Sequence, residues 1–136
     1  MTFKTLTGAI RRPKNIKKKM INWDKPSRSK FQTRVKSFLE KYWSNHIVLE
    51  EFTIPGSRLS LDFYNANKKI AVEVQGGQHL KYVPFFHNNN RANFKHQQYK
   101  DAEKFRFCEI NGITLIEIYP KDKINKSLFK KFGVDL

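Results

Sequence analysis

Two acids, Asp62 and Glu73, are separated by ten residues and lie in segments that otherwise read as core strands. A carboxylate in a buried strand is costly unless it is paired, hydrogen-bonded or bound to a cation. The polar stretch Asn65-Ala66-Asn67-Lys68 lies between the two segments, which therefore read as a hairpin. With the turn centred between Ala66 and Asn67, Asp62 stands opposite Ala71 and Glu73 is its diagonal neighbour on the same face. Diagonal neighbours are about 7–8 Å apart at the backbone and closer at the side chains. Two carboxylates so placed can share one hard divalent cation. Mg²⁺ suits them, because it takes one or two protein carboxylates and completes its octahedron with water and phosphate oxygens. The expectation depends on register, since a slip of one residue would send the acids to opposite faces. The plainer reading is a pair of solvated acids on an exposed sheet face.

Other reactive residues are less ordered in their spacing. His79 follows the second strand and is the best candidate for acid–base work, because imidazole titrates near neutral pH. Its plain alternative is a loop histidine bonded to backbone. His79, His87, His96 and Cys108 show no CxxC or HxxxH spacing, so zinc is not expected. Cys108, the single cysteine, excludes an intrachain disulfide and reads as a small buried hydrophobe on an aromatic-rich helix. Lys95, Lys100, Lys104 and Arg106 read as helix charge shared between solvent and phosphate contacts. Asp101 is read as an exposed acid, with a place near the site as the alternative.

Charge narrows the partner. The chain has 136 residues, one ordinary domain, with 27 Lys plus Arg against 12 Asp plus Glu, a net charge of +15. Such a surplus points to a polyanion, because neutralised phosphates release condensed counterions. Residues 1–30 hold ten of the cations and one acid, Asp24. Residues 1–28 therefore read as a basic N-terminal arm, with Arg11, Arg12, Lys17, Lys18, Lys19 and Arg28 as nucleic-acid contacts, joined by Lys30 and Lys95 beyond it. A solubilising tail or an organellar transit peptide are the competing readings of the same stretch. No apolar run is long enough to span a bilayer and no secretory signal is evident, so a cytoplasmic or nucleoid-associated place in a bacterial or phage-infected cell is expected.

The elements that must position the acids follow from periodicity. A helix is predicted from Ser29 to Trp43, with Phe31, Val35, Phe38, Leu39 and Tyr42 as its apolar stripe and Ser29 with Gln32 as a capping box. Ile47–Phe52, Leu59–Tyr64 and Lys69–Gln75 read as strands. Leu59, Leu61 and Phe63 are expected on one face and Ser60, Asp62 and Tyr64 on the other; Ile70, Val72 and Val74 oppose Ala71, Glu73 and Gln75. Gly76–Arg91 reads as a long functional loop. A helix over Phe94–Ile110, stopped by Asn111-Gly112, leads into a strand over Ile113–Tyr119. A short helix near Asn125–Phe132, with Leu128, Phe129 and Phe132 inward, ends the chain. The order implies an α/β domain over 29–136, with a mixed four- to five-stranded sheet flanked by helices.

These residues resemble a known family. Asp62, ten residues, then Glu73-Val74-Gln75 is similar to the signature of the PD-(D/E)XK, or restriction-endonuclease-like, nuclease superfamily. The run Val72-Glu73-Val74-Gln75-Gly76-Gly77-Gln78-His79 is its most specific piece. It resembles the small single-domain branch that includes relatives of very short patch repair endonucleases and homing endonucleases of that fold. The helix over Asp101–Arg106 leading to Asn111-Gly112-Ile113-Thr114-Leu115-Ile116 adds to the likeness, which covers Ser27 to Tyr119. The resemblance implies a restriction-endonuclease-like core and a metal-dependent DNA endonuclease. Asp62, Glu73 and the Val74 carbonyl would hold Mg²⁺, with Mn²⁺ as a substitute, and Gln75 would position the attacking water. Gln75 stands where the family usually has lysine. Gln32 stands where it often has a helix glutamate, if it is not simply the capping partner of Ser29; Glu40 is a weaker substitute. Double-stranded or branched DNA is the implied partner, and a homodimer is implied for a double-strand cut. A homing or mobile-element enzyme, a nicking enzyme and a Holliday-junction resolvase all fit. The rivals are a non-catalytic nucleic-acid binder on the same scaffold and a basic ribosomal or chromatin protein.

Overall fold

A computed structural model of the chain describes residues 1–76 and 91–136, with side chains described from Lys95 onward in the second stretch. The elements are β1 (Phe3–Lys4), β2 (Ile10–Arg11), α1 (Ile16–Lys19), α2 (Lys30–Trp43), β3 (Val48–Thr53), β4 (Ser60–Asn65), β5 (Ile70–Val74), α3 (Arg91–Ile110), β6 (Thr114–Ile118) and α4 (Lys126–Lys130). The expected loop over 76–91 falls almost wholly outside the described residues.

Four strands form one mixed sheet in the order β3-β4-β5-β6. The first three are antiparallel, and β6 runs parallel to β5 after α3 has carried the chain back. A parallel neighbour requires such a crossover. β5 is buried throughout most of its length, with Ile70 and Val72 in one apolar cluster and Ala71 in another. Alternate residues of a strand point to opposite faces, so the two clusters cover the two sides of the sheet. Val35, Leu39 and Trp43 of α2 and Leu128 and Phe129 of α4 fill the first. Phe107 and Cys108 of α3 and Phe3 of β1 fill the second. The α/β class and the four-stranded mixed sheet therefore stand as read.

Several details differ from the sequence reading. The α2 stripe is turned by about one position: Gln32, Val35, Lys36, Leu39 and Trp43 are its buried residues, while Phe31, Phe38 and Tyr42 are only partly covered. Two polar side chains are buried because the sheet beneath them presents acids. Leu61 shares a cluster with Tyr64, and Phe63 lies in the other, so the simple alternation expected along β4 breaks between them. The break sits where β3 carries Glu51 at φ 55, between the registered pairs Glu50↔Phe63 and Phe52↔Leu61. A left-handed backbone at a non-glycine residue is strained, and strain of this kind collects at functional positions. Phe132 is 38% exposed rather than inward, because α4 ends at Lys130.

The basic stretch 1–28 is folded onto this frame. Phe3 stacks among Phe52, Tyr64 and Phe107, and β1 pairs with β2. The Ile21 N–H donates to the Val48 carbonyl at 3.0 Å, fastening the segment to β3.

Candidate active site

The register of the β4–β5 hairpin decides where the acids meet. Its pairs are Phe63↔Val72, Tyr64↔Ala71 and Asn65↔Ile70. Continuing by one step sets Asp62 directly opposite Glu73, not diagonal to it as the expected turn would give. The shift is two residues, so face parity is kept and the acids still converge. The ladder stops at this step. The Val74 N–H, next in line for β4 backbone, donates instead to Oδ2 of Asp62 at 2.7 Å. β4 and β5 therefore part at the acids. The Gln75 N–H donates to the Ile118 carbonyl, so the residues on either side of Val74 face β6. The N–H and C=O of one strand residue point to the same edge, which turns the Val74 carbonyl toward Asp62 as well.

Both carboxylates are buried, Asp62 at 3% and Glu73 at 4% exposure. Asp62 is fully partnered: besides Val74, its Oδ1 accepts from Arg28 Nη2 at 2.9 Å. Glu73 Oε1 is held by an ion pair with Lys104 Nζ of α3 at 2.9 Å and has no further partner meeting hydrogen-bond geometry among the described residues. Burial pushes the Glu73 carboxyl up to about 9, helped by the neighbouring Asp62 charge and opposed by Lys104. The raised value favours the protonated form of Glu73 beside Asp62.

A polar shell surrounds the pair on both sides of the sheet. Arg28 also reaches Glu51 at 3.4 Å and Gln32 Oε1 at 3.3 Å. Gln32 Nε2 donates to Glu50 and Glu51, each at 3.1 Å. Ser29 does cap α2 through the Gln32 N–H at 3.0 Å. The reciprocal half of the capping box is absent, because the Gln32 amide points into the sheet. Lys36 is buried at 3% and donates to Glu50 at 2.8 Å and to the Lys25 carbonyl at 2.7 Å. Ser27 completes the set with a short hydrogen bond to Glu50. On the α3 side, Glu117 of β6 pairs in register with Glu73. It accepts from Gln75 Nε2 at 3.3 Å and from the Tyr119 hydroxyl at 2.9 Å. Burial, followed by Glu117, raises the Tyr119 phenol to about 12.

Asp62, Glu73, Val74, Gln75, Arg28 and Gln32 are thus brought into one neighbourhood. His79 and His87 lie outside the described residues. Lys95 is exposed on α3, as are Arg11, Arg12, Lys17, Lys18 and Lys30 elsewhere, while Lys19 is half-buried. Glu40 makes no side-chain hydrogen bond or ion pair among the described residues. Asp101 is half-buried rather than exposed. Cys108 is 1% exposed and its thiol is raised to about 12 by burial, as fits a buried hydrophobe. Sequence reasoning missed Lys36, Glu50, Glu51 and Glu117, and it read Lys104 as helix charge for solvent and phosphate rather than as the partner of Glu73. A signal existed for Lys104, which falls three residues after Asp101 and four before Cys108, on one helix face. No signal marked Lys36, since lysine is almost never fully buried unless paired.

The donors available to a cation are two carboxylates and one carbonyl. Among the described residues no group of three His, Cys, Asp or Glu side chains could hold a metal ion. The oxygen-only chemistry of the pair and the Oε1 of Glu73, with no aligned hydrogen bond among the described residues, nonetheless fit a hard ion that keeps several waters.

Among the described residues no helix is long and apolar enough to cross a membrane. No family model matches the chain, and no solved structure matches it. Three viral proteins do, all bearing the description uncharacterized. Protein 307L of Invertebrate iridescent virus 6 is 43% identical over 74 residues, covering 54% of this chain and 37% of the relative. Protein 033L of Invertebrate iridescent virus 3 is 42% identical over 65 residues, covering 48% and 33%. Protein 094L of Frog virus 3 is 41% identical over 63 residues, covering 46% and 41%. The matched stretch spans between a third and about two fifths of each relative's length, and the chain is similar to that part of them.

Proposed function

We propose that the chain is a metal-dependent endodeoxyribonuclease that hydrolyses phosphodiester bonds, on a core of the restriction-endonuclease-like kind. One observation carries the reading: two buried carboxylates, Asp62 and Glu73, face each other where their strands part, and one Glu73 oxygen lacks a hydrogen-bond partner among the described residues. Such a pair is unfavourable in a low-dielectric site unless a proton or a cation lies between the acids. Asp62, Glu73 and the Val74 carbonyl would hold Mg²⁺ or Mn²⁺, which when bound polarises a phosphodiester and makes a water more acidic.

The chain's own residues have distinct tasks in this reading. Glu73 would have to be ionised to act as a ligand, since a metal-binding carboxyl is deprotonated. Lys104 supplies, from α3, the positive charge that Gln75 cannot. Gln75, held by Glu117, orients rather than transfers protons. Arg28 is 66% exposed on its side chain and bound to Asp62, so it can exchange that carboxylate for a phosphate of the substrate. His79 remains the acid–base candidate. The net charge of +15 supports a DNA partner.

One observation favours a second reading, a nucleic-acid binder without catalysis: the Gln75 amide is engaged by Glu117 and the Asp62 carboxylate by Arg28. Supercoiled, linear and branched DNA incubated with the protein and Mg²⁺ or Mn²⁺ separates the two. The enzyme reading expects cutting by the wild type, none by Asp62→Ala or Glu73→Ala, and unchanged DNA binding by both variants in EDTA. Undiminished cutting by either variant removes the site. Binding without any cutting by the wild type leaves the binder.

A further inference from the structure

The N-terminal hairpin, α1 and the turn between β3 and β4 enclose a groove of about 800 Å³ away from the carboxylates. Five cations line it, Arg11, Arg12, Lys14, Lys19 and Arg58, with no acid and no aromatic side chain among the described residues. None of the five takes part in an ion pair among the described residues, where the pairs use Arg28, Lys36 and Lys104. Five like charges without counter-charge repel one another and raise the potential in a concave site.

The fold nonetheless fixes them together. Thr5 is tied into its own turn by the bond from its N–H to the Ala9 carbonyl at 2.7 Å and by the Ala9 N–H to its hydroxyl at 3.1 Å. It lies against Gly56, where an added Cβ would meet Thr5 Cγ2 at 3.0 Å. Gly56 has φ +77, so glycine serves both the turn and the close approach. The turn is itself closed by Ile54 N–H to the Leu59 carbonyl at 2.8 Å and Ser57 N–H to the Ile54 carbonyl at 3.0 Å. The groove therefore has a braced wall on either side.

Its place is informative. Residues 54–59 join the end of β3 to the start of β4, and Asp62 is the third residue of β4. The groove thus opens toward the sheet end that carries the acids, with Arg58 four residues before Asp62, roughly 13 Å along an extended chain.

We propose that this groove binds the sugar-phosphate backbone of duplex DNA at the sheet end toward which the carboxylate pair lies. Arg and Lys in a fixed array match successive phosphates. Proteins that grip single strands add aromatic platforms for unstacked bases, and among the described residues the lining has none, which favours a duplex whose bases stay stacked inside. The inference rests on the nucleic-acid half of the proposed function and not on cleavage.

The test measures duplex binding in EDTA by fluorescence anisotropy across 50–300 mM salt. The triple variant Arg11→Ala/Arg12→Ala/Arg58→Ala is compared with Lys121→Ala/Lys123→Ala/Lys130→Ala, which removes equal charge from exposed positions near α4. Both triples alter exposed side chains, and circular dichroism checks that each is folded. The groove triple is expected to bind at least tenfold more weakly, with the salt slope reduced by about 2–3, since each lost phosphate contact removes about 0.9. The control is expected to lose less than threefold. Equal losses in both triples, or a groove loss larger for single-stranded than for duplex DNA, overturn the proposal. Cleavage by Asp62→Ala bears on the site alone, so the two readings fail independently.

Discussion

Replacing Glu73 by glutamine separates the folding role of this side chain from its proposed catalytic one. Burial, with Asp62 beside it, holds the Glu73 carboxyl neutral up to about pH 9, against an ordinary value of 4.5. The unfolded chain ionises it from 4.5 upward. A raised folded value means stability that is complete below 4.5 and lost as pH rises toward 9. At pH 7 the interval is 2.5 units, 7 minus 4.5, and at about 1.4 kcal/mol per unit the loss is about 3–4 kcal/mol. The side chain is only 5% exposed, so solvent screening takes little from this figure. Glutamine has the same shape, never ionises, and can donate to Asp62 as the protonated acid does. Glu73→Gln is therefore expected to melt roughly 5–10 °C above the wild type at pH 7–8, with the gain shrinking to nothing near pH 4.5. Metal-dependent cutting is lost in the same variant, because an amide is a poor ligand for a hard ion. Calorimetric melts from pH 4 to 9 read the first effect, and a nicking assay the second. A variant less stable than wild type at pH 8 and equal to it at pH 4 would show that Glu73 is ionised and stabilised by Lys104, and the account of the pair would fall.

Lys104→Met removes the cation that lowers the Glu73 carboxyl, so the pH at which Mn²⁺ binding reaches half its maximum is expected to move upward, with Lys104→Arg restoring it; titration calorimetry between pH 6 and 9 reads the shift, and an unmoved midpoint removes Lys104 from the site. Lys36→Met breaks a pair in which the lysine is 3% and Glu50 16% exposed. Removing one partner of a buried pair costs about 3 kcal/mol, whereas removing both costs much less. Urea unfolding of Lys36→Met and of Lys36→Met/Glu50→Gln is therefore expected to show partial recovery in the double variant, and equal losses would mean that the two residues are not coupled.

The parts of this chain legible in its sequence are those governed by apolar period. The 3.6-residue stripe of α2 and the alternation along β5 located their elements within a residue or two, since burial of Val35, Leu39, Ile70 and Val72 is favourable whatever surrounds them. Register was less legible. A turn centred one residue away from the assumed point changes every opposed pair, and only the even parity of the resulting shift kept Asp62 and Glu73 together. Least legible was the polar shell. Gln32 reads only as a capping partner of Ser29 or as the stand-in for a helix glutamate, and nothing marks Lys36, because a lone lysine gains by facing water. They turn inward only because β3 offers Glu50 and Glu51, and Glu51 is aimed by a left-handed backbone that no local pattern encodes. The same logic separates the two sides of the site. On the α2 side Arg28, Lys36, Glu50, Glu51 and Asp62 are all partnered, so that shell holds Asp62 and Arg28 in place. On the α3 side Glu73 Oε1 has the Lys104 ion pair alone, with no aligned hydrogen bond among the described residues. An imbalance confined to one carboxylate, at the step where two strands part, has a physical use if a cation arrives there. Without one it is only a cost to the fold, which is why the stability of Glu73→Gln and its loss of cutting must be found together.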